Sequence, residues 1–256
     1  MKFNGLQQPL DAASKVPAVT ALFWFIKVLA TTLGETGGDA ASMSLGLGYL
    51  LSTAIFATVF VAAVATQVRA SRFHPGIYWI TIIATTTVGT TLADFADRSL
   101  GIGYAGGSAL LATLLLASLA AWYLALGSVS VDTVSSPKSE AFYWITVMFS
   151  QTLGTALGDW TADSMGMGYA GGALVFGSLL AILAVAYYRT RVSRTALFWA
   201  AFVLTRPLGA VVGDLLDKPV HDGGMAFSRF AASAILLAVI AASVHFGRHR
   251  AAERSH

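Results

Sequence analysis

The chain has 256 residues, 56% of them hydrophobic and only 11% charged, with a mean hydropathy of +0.69. Soluble domains carry about 25% charged residues, so a water-soluble globule is excluded. The net charge of +3 comes from lysines and arginines beside apolar runs and is no nucleic-acid signature, while zero cysteines exclude disulfides and thiolate metal sites.

Residues 1–17, with Lys2, Asp11, Lys15 and Pro17, lack an apolar run followed by a small-residue cleavage site. They read as a cytoplasmic N-terminal arm, not a signal peptide. Eight apolar runs follow, at 18–34, 50–68, 76–93, 103–126, 141–157, 169–188, 195–212 and 226–246. Their lengths suit a hydrocarbon core about 30 Å thick. A membrane β-barrel needs alternating apolar and polar residues. Residues 114–121 (Leu-Leu-Leu-Ala-Ser-Leu-Ala-Ala) show none, so the spans are expected to be helices. The expected organisation is a first membrane half at 18–126, a central cytoplasmic linker at 127–140, a second membrane half at 141–246, and a basic cytoplasmic tail at 247–256.

A repeat runs through the spans. Trp24, Trp79, Trp144 and Trp199 are each followed ten residues later by Gly34, Gly89, Gly154 and Gly209, and fifteen residues later by Asp39, Asp94, Asp159 and Asp214. The first three units continue to Leu/Met-Gly-x-Gly-Tyr at 45–49, 100–104 and 165–169; the fourth has Val220-His221-Asp222-Gly223-Gly224 instead. Units of this length are single supersecondary elements that bury a core only by stacking. Each is two spans with a tight return, so all four share one topology. The predicted fold is all-α: eight transmembrane helices as four parallel-topology two-helix repeats, pseudo-symmetric about the membrane normal. The tryptophans are expected in one interfacial aromatic belt and the repeat tyrosines near the other.

Charge in the connections sets the orientation. Lys2, Lys15, Arg69, Arg72, Lys138, Arg189, Arg191, Arg194, Arg248, Arg250 and Arg254 fall on the side of the termini; Arg98, Lys218 and Arg229 fall on the other. The positive-inside bias places both termini in the cytoplasm and the four aspartates near the outer face, since fifteen helical residues climb about 22 Å.

A carboxylate repeated in apolar units is a functional-site hypothesis by default. Looking back from each aspartate by four and eight residues gives Glu35 and Thr31, with Lys27 below; Thr90 and Thr86; Thr155 and Gln151; and Ala210 and Arg206. Residues four apart share a helix face, so each first helix carries a polar strip running inward. Glu35, Asp39, Asp94, Asp159 and Asp214 are the expected cation ligands, with Asp97 and Asp217, at one repeat position, as secondary candidates. Asp97, Asp163, Asp217 and Asp222 otherwise read as solvated loop groups. Lys27 and Arg206 are the internal charge partners. Arg206 precedes Pro207 and is expected to partner an internal carboxylate, Glu35 across the bundle or else Asp159 or Asp214, whereas Lys27 can pair with Glu35 or snorkel. The bland alternative makes each aspartate the cap of a turn, after a glycine that ends the first helix. His221 beside Asp217 and Asp222 is a weak metal signal, and Met165 and Met167 suit packing better than soft-metal binding.

No Gly-x-Ser-x-Gly, His-Glu-x-x-His or lysine-bearing phosphate loop occurs. The Gly-Asp pairs lack the Gly-x-Gly-Asp form of intramembrane aspartyl proteases. An enzyme is not expected, nor is a cofactor. With its repeated Thr-Leu-Gly…Gly-Asp and Leu-Gly-x-Gly-Tyr elements, the chain resembles a family of bacterial multi-pass proteins described as uncharacterised membrane-anchored proteins. That resemblance spans nearly the whole chain. It implies the bacterial inner membrane and no particular activity.

The expected function is secondary transport of a hard divalent cation, Mn²⁺, Mg²⁺ or Ca²⁺, through oxygen ligands, with protons as the coupling ion and the lipid bilayer as surroundings. Manganese leads only because bacteria both import and export it. The alternative is a non-transporting membrane scaffold whose aspartates cap outer turns.

Overall fold

A computed structural model describes residues 14–253; Lys2, Asp11, Arg254 and His256 lie outside the described residues. Eight long helices are present among the described residues: α1 Ala21–Asp39, α2 Gly48–Arg69, α3 Pro75–Asp94, α4 Tyr104–Leu126, α5 Pro137–Asp159, α6 Gly168–Arg189, α7 Arg194–Asp217 and α8 Arg229–Phe246. Local chemistry starts most of the odd ones. Thr20 caps α1 and Ser193 caps α7 through side-chain oxygens, and Ser136 with Ser139 forms a capping box ahead of α5, supplying acceptors to otherwise orphaned N–H groups. Pro75 opens α3 at a position where its missing N–H costs nothing.

The helix breaks that the capping alternative places before the aspartates do not occur. In the first three units the helix runs through the aspartate and widens into a five-residue π-helical segment, at Ala40–Ser44, Phe95–Ser99 and Trp160–Ser164. Such segments recur at functional sites. Both glycines of each Leu/Met-Gly-x-Gly-Tyr return then adopt positive φ, between 65° and 76°, with nothing within 4 Å of where a Cβ would stand. These glycines are required by the backbone conformation, not by crowding.

The helices form two concentric layers. The first helices of the units close an inner ring in the order α1, α3, α5, α7 and back to α1. The second helices lie outside, α2 on α3, α4 on α5, α6 on α7 and α8 on α1. Each outer helix therefore covers the inner helix of the next unit, and the last unit wraps back onto the first. A tight return within a unit does not by itself select that partner. Six helices, α2, α3, α4, α6, α7 and α8, are long and apolar enough to cross a membrane. The protein is thus a multi-pass helical membrane protein. Helices α1 and α5 carry Lys27, Glu35 and Asp39, and Lys138, Glu140 and Asp159, which lower their hydropathy; Lys27, Glu35, Asp39 and Asp159 are turned into the ring, Glu140 pairs with Lys15, and Lys138 is exposed.

The repeat glycines explain how the ring closes so tightly. A Cβ on Gly34 would strike Thr86, on Gly89 Gln151, on Gly154 Arg206 and on Gly209 Thr31. The four struck residues occupy one repeat position, seven after the tryptophan. Each glycine thus receives the corresponding side chain of the next unit, a small-residue contact that brings backbones close. Hydroxyls reinforce it: Thr86 Oγ1 donates to the Ala30 carbonyl at 3.2 Å, Thr90 Oγ1 to the Gly34 carbonyl at 3.1 Å, and Thr31 Oγ1 to the Thr205 carbonyl at 3.1 Å.

At the end of the bundle that carries the termini, aromatics fill the axis. Phe23, Tyr78, Tyr143 and Phe198 are buried, and Tyr78 and Tyr143 share a hydroxyl hydrogen bond of 2.6 Å. Trp79, Trp144 and Trp199 are also buried and pack against these rings. They are core residues, not a lipid-facing belt, because the outer helices cover them; Trp24 alone of the four is half-buried. Residues 14–18 lie across this end. Lys15 pairs with Glu140 at 2.7 Å and donates to the Val68 carbonyl at 3.0 Å, while Ala18 and Val16 bond to the backbone of Arg250 and Ala252.

Candidate cation site in the inner ring

The inner ring stacks residues in layers one helical turn apart. Outward from the aromatic layer come Lys27, Ile82, Val147 and Phe202; then Thr31, Thr86, Gln151 and Arg206; then Glu35, Thr90, Thr155 and Ala210; and then Asp39, Asp94, Asp159 and Asp214. All sixteen side chains are buried, none more than 3% exposed. The four-residue register of the polar strips becomes a polar column along the axis.

Arg206 and Glu35 meet inside it. Both Nη atoms donate to Glu35 Oε2, at 3.1 and 3.0 Å, and Nη2 also donates to Thr90 Oγ1 at 2.5 Å and Thr155 Oγ1 at 2.6 Å. One guanidinium thus ties together side chains of all four units. Lys27 does not snorkel. It is fully buried, its Nζ 4.2 Å above the Phe202 ring and without a hydrogen-bond partner. Gln151 has neither amide atom satisfied.

The aspartates are held by cations, not by caps. Asp39, Asp94 and Asp159 make no capping hydrogen bond to the π-helical segments they precede, and Asp214 lies within α7. Arg98 bridges Asp94, at 3.0 Å, to Asp159, at 3.5 Å. Lys218 bridges Asp214, at 3.1 Å, to Asp39. Arg229 pairs with Asp217 at 3.2 Å and approaches Asp39 at 3.7 Å. Asp217 is therefore a buried ion-pair member and not a solvated loop group, because the return of the last unit folds Arg229 against it. Asp97 is half-buried and packs its carboxylate against Gly107. Asp163 accepts a bond from Tyr104 Oη at 3.3 Å, while Asp222 faces His221 at the surface.

Arg98 and Lys218 are the residues that sequence reasoning missed, having been weighed only as topology signals. Their signature was present. Each stands four residues after a ring aspartate, in units two and four, where an i,i+4 pair forms on one helix face. Lys218 lies just beyond α7. Burial disfavours its charge, but Asp214 and Asp39 outweigh that and hold its pKa above the ordinary lysine value.

One corner of the ring differs from the rest. Glu35, Asp39 and Asp214 each offer a carboxylate oxygen within 4.8 Å of the other two. Asp39 Oδ1 is buried with no hydrogen-bond partner. The opposite corner has Asp94 and Asp159 but Thr90 and Thr155 one turn inward, so it lacks a third carboxylate. The expected ligands therefore fall into two groups: Glu35, Asp39 and Asp214 converge, while Asp94 and Asp159 converge separately on Arg98.

Comparison with curated proteins and with solved structures finds no match. A family model described as Repeat of Unknown Function (DUF347) matches four times, at residues 22–73, 77–127, 142–193 and 197–249. The copies begin 55, 65 and 55 residues apart, the register of the tryptophans, and each takes in one inner helix and the outer helix after it. With most of its length covered by these four copies, the chain belongs to the DUF347 repeat family.

Proposed function

We propose that this protein is a secondary transporter of a hard divalent cation, and that its substrate site is the corner formed by Glu35, Asp39 and Asp214. The convergence of those three buried carboxylates, each from a ring position, is the observation that carries the reading. Buried ionisable groups in a membrane are expensive and mark ion pathways. Oxygen-only donors suit Mn²⁺, Mg²⁺ or Ca²⁺, which keep waters or take further oxygens to complete their shells. Asp39 Oδ1, lacking a partner, is a ready ligand. Toward the termini the column closes on the layer of Phe23, Tyr78, Tyr143 and Phe198, so a cation at the triad reaches the aspartate end first.

In this reading all eight helices span a bacterial inner membrane, with α1 and α5 sheltered by the apolar outer layer. The connection charges put both termini in the cytoplasm. Protons are the proposed counter-ion, since clustered carboxylates exchange one for the other. The scaffold alternative draws no support from the aspartates, whose contacts are ion pairs and not caps.

Flux of Mn²⁺ into proteoliposomes carrying a metal-quenched dye tests the proposal. Glu35→Gln, Asp39→Asn and Asp214→Asn are each expected to cut the rate by about tenfold or more, since each removes an anionic ligand. Asp159→Asn, outside the triad, is expected to lower stability more than rate. Unchanged flux in all three triad variants overturns the proposal.

A further inference from the structure

The triad already holds two cations, and both belong to this chain. Arg206 is anchored: it is fully buried within α7 and bonded to three other units. Lys218 is placed differently. It follows the last residue of α7, has extended backbone (ψ 154°) and precedes Pro219. Its backbone is pinned, its N–H donating to the Asp214 carbonyl at 2.9 Å and its carbonyl accepting from Ala226 at 2.8 Å. Its side chain is about one-tenth exposed. Departure of the ammonium from Asp39 and Asp214 is therefore a movement of a side chain outside the helix, and needs no unwinding of α7.

We infer that Lys218 is a displaceable internal cation which occupies the substrate position and is expelled when a divalent ion binds. The inference rests on the proposed cation site. A seated ammonium shows that this corner accepts a cation, and the unpartnered Asp39 Oδ1 leaves a ligand atom for another.

Charge balance then sets the substrate class. With Lys218 and Arg206 in place, three carboxylates face two cations, and one negative charge is uncompensated. If Lys218 leaves and a monovalent ion enters, the balance is unchanged and nothing offsets the lost lysine contacts. If a divalent ion enters, the corner becomes neutral. Arg229 does not alter this, because it is matched by Asp217 at 3.2 Å. Lys218 therefore discriminates against Na⁺ and K⁺ as well as emptying the site for the next cycle. Arg98, at the same repeat position in unit two, holds only Asp94 and Asp159, so an ion that displaced it would find two carboxylates and no third within the ring.

The test is an Mn²⁺ titration of the purified full-length protein in detergent, read as the rise in melting temperature. Lys218→Gln is expected to lower the melting temperature without metal and to reduce the half-saturating Mn²⁺ concentration by about tenfold or more, a difference of binding free energy readily resolved. Lys218→Arg is expected to raise that concentration several-fold, because a guanidinium grips two carboxylates in a fork; it decides the matter if the glutamine variant does not fold. Arg98→Gln is expected to lower stability without shifting the Mn²⁺ midpoint. Wild-type protein is expected to ignore Na⁺. Should Mn²⁺ stabilise the wild type but Lys218→Gln bind no more tightly, or Lys218→Arg no more weakly, the lysine is only a structural partner; the cation site itself then stands. No response to any divalent ion in wild type and variants overturns both.

Discussion

Replacing Arg206 by glutamine is expected to destabilise the protein by about 3–5 kcal/mol, the usual cost of leaving one member of a buried ion pair alone. Glu35 would keep a buried negative charge, and Thr90 and Thr155 would lose the donor they share. Glu35→Gln alone leaves the guanidinium without its anion and is also expected to be severe. The double variant Glu35→Gln/Arg206→Gln removes both charges together and is expected to recover a large part of the loss. A double-mutant cycle on unfolding in detergent measures this, with a coupling energy of about 0.5–3 kcal/mol or more between residues in one network. Additive losses would show that the two groups do not depend on each other. Metal flux is expected to stay low in the double variant even where folding recovers, because Glu35 is a ligand of the proposed site.

Gly89→Ala is expected to cost about 1–3 kcal/mol, as overpacking of a closely fitted contact does. The new methyl would stand 2.9 Å from the Gln151 carbonyl carbon and 3.0 Å from the Thr152 nitrogen. Both are backbone atoms of α5, so relief requires the helices to separate. At Gly34 or Gly209 the struck atoms include a threonine hydroxyl, but backbone lies close behind it. Gly177 supplies the opposite case. It lies in α6 with nothing within 4 Å, so Gly177→Ala is expected to be stabilising by about 0.5–1 kcal/mol through backbone entropy alone. Thermal unfolding of the two variants side by side should move in opposite directions. Equal small effects would mean that the inner ring is looser than the close approach of α3 and α5 indicates.

Much of this architecture was legible in the residues. The Trp, Gly and Asp register marks the four units, and the polar strip at steps of four becomes the axial column of Lys27, Arg206, Glu35 and the aspartates. A strip on one helix face has to point at protein in a membrane, so periodicity was enough. Three features were not legible. A two-helix unit does not reveal whether its second helix covers its own first helix or the next one, because both partners are apolar and equally near in sequence; α2 lies on α3. The π-helical widening after Asp39, Asp94 and Asp159 has no composition signal. The roles of Lys218 and Arg98 were hidden for a different reason. A cation near a helix end is normally solvated, and only the closure of the ring shows that these two turn inward between aspartates of neighbouring units. Asp217 was misjudged on the same ground, since Arg229 reaches it from the next helix.

One divalent ion is expected to sit between Glu35, Asp39 and Asp214. Crystals of the full-length protein grown with Mn²⁺ and measured near the manganese absorption edge would locate it directly. One anomalous peak is expected at ligand distance from all three carboxylates, with the Lys218 ammonium moved away from Asp39, and that peak is expected to be lost in Asp39→Asn. A peak at Asp94 and Asp159 with Arg98 displaced, or none in the ring with Lys218 still seated, would contradict that placement.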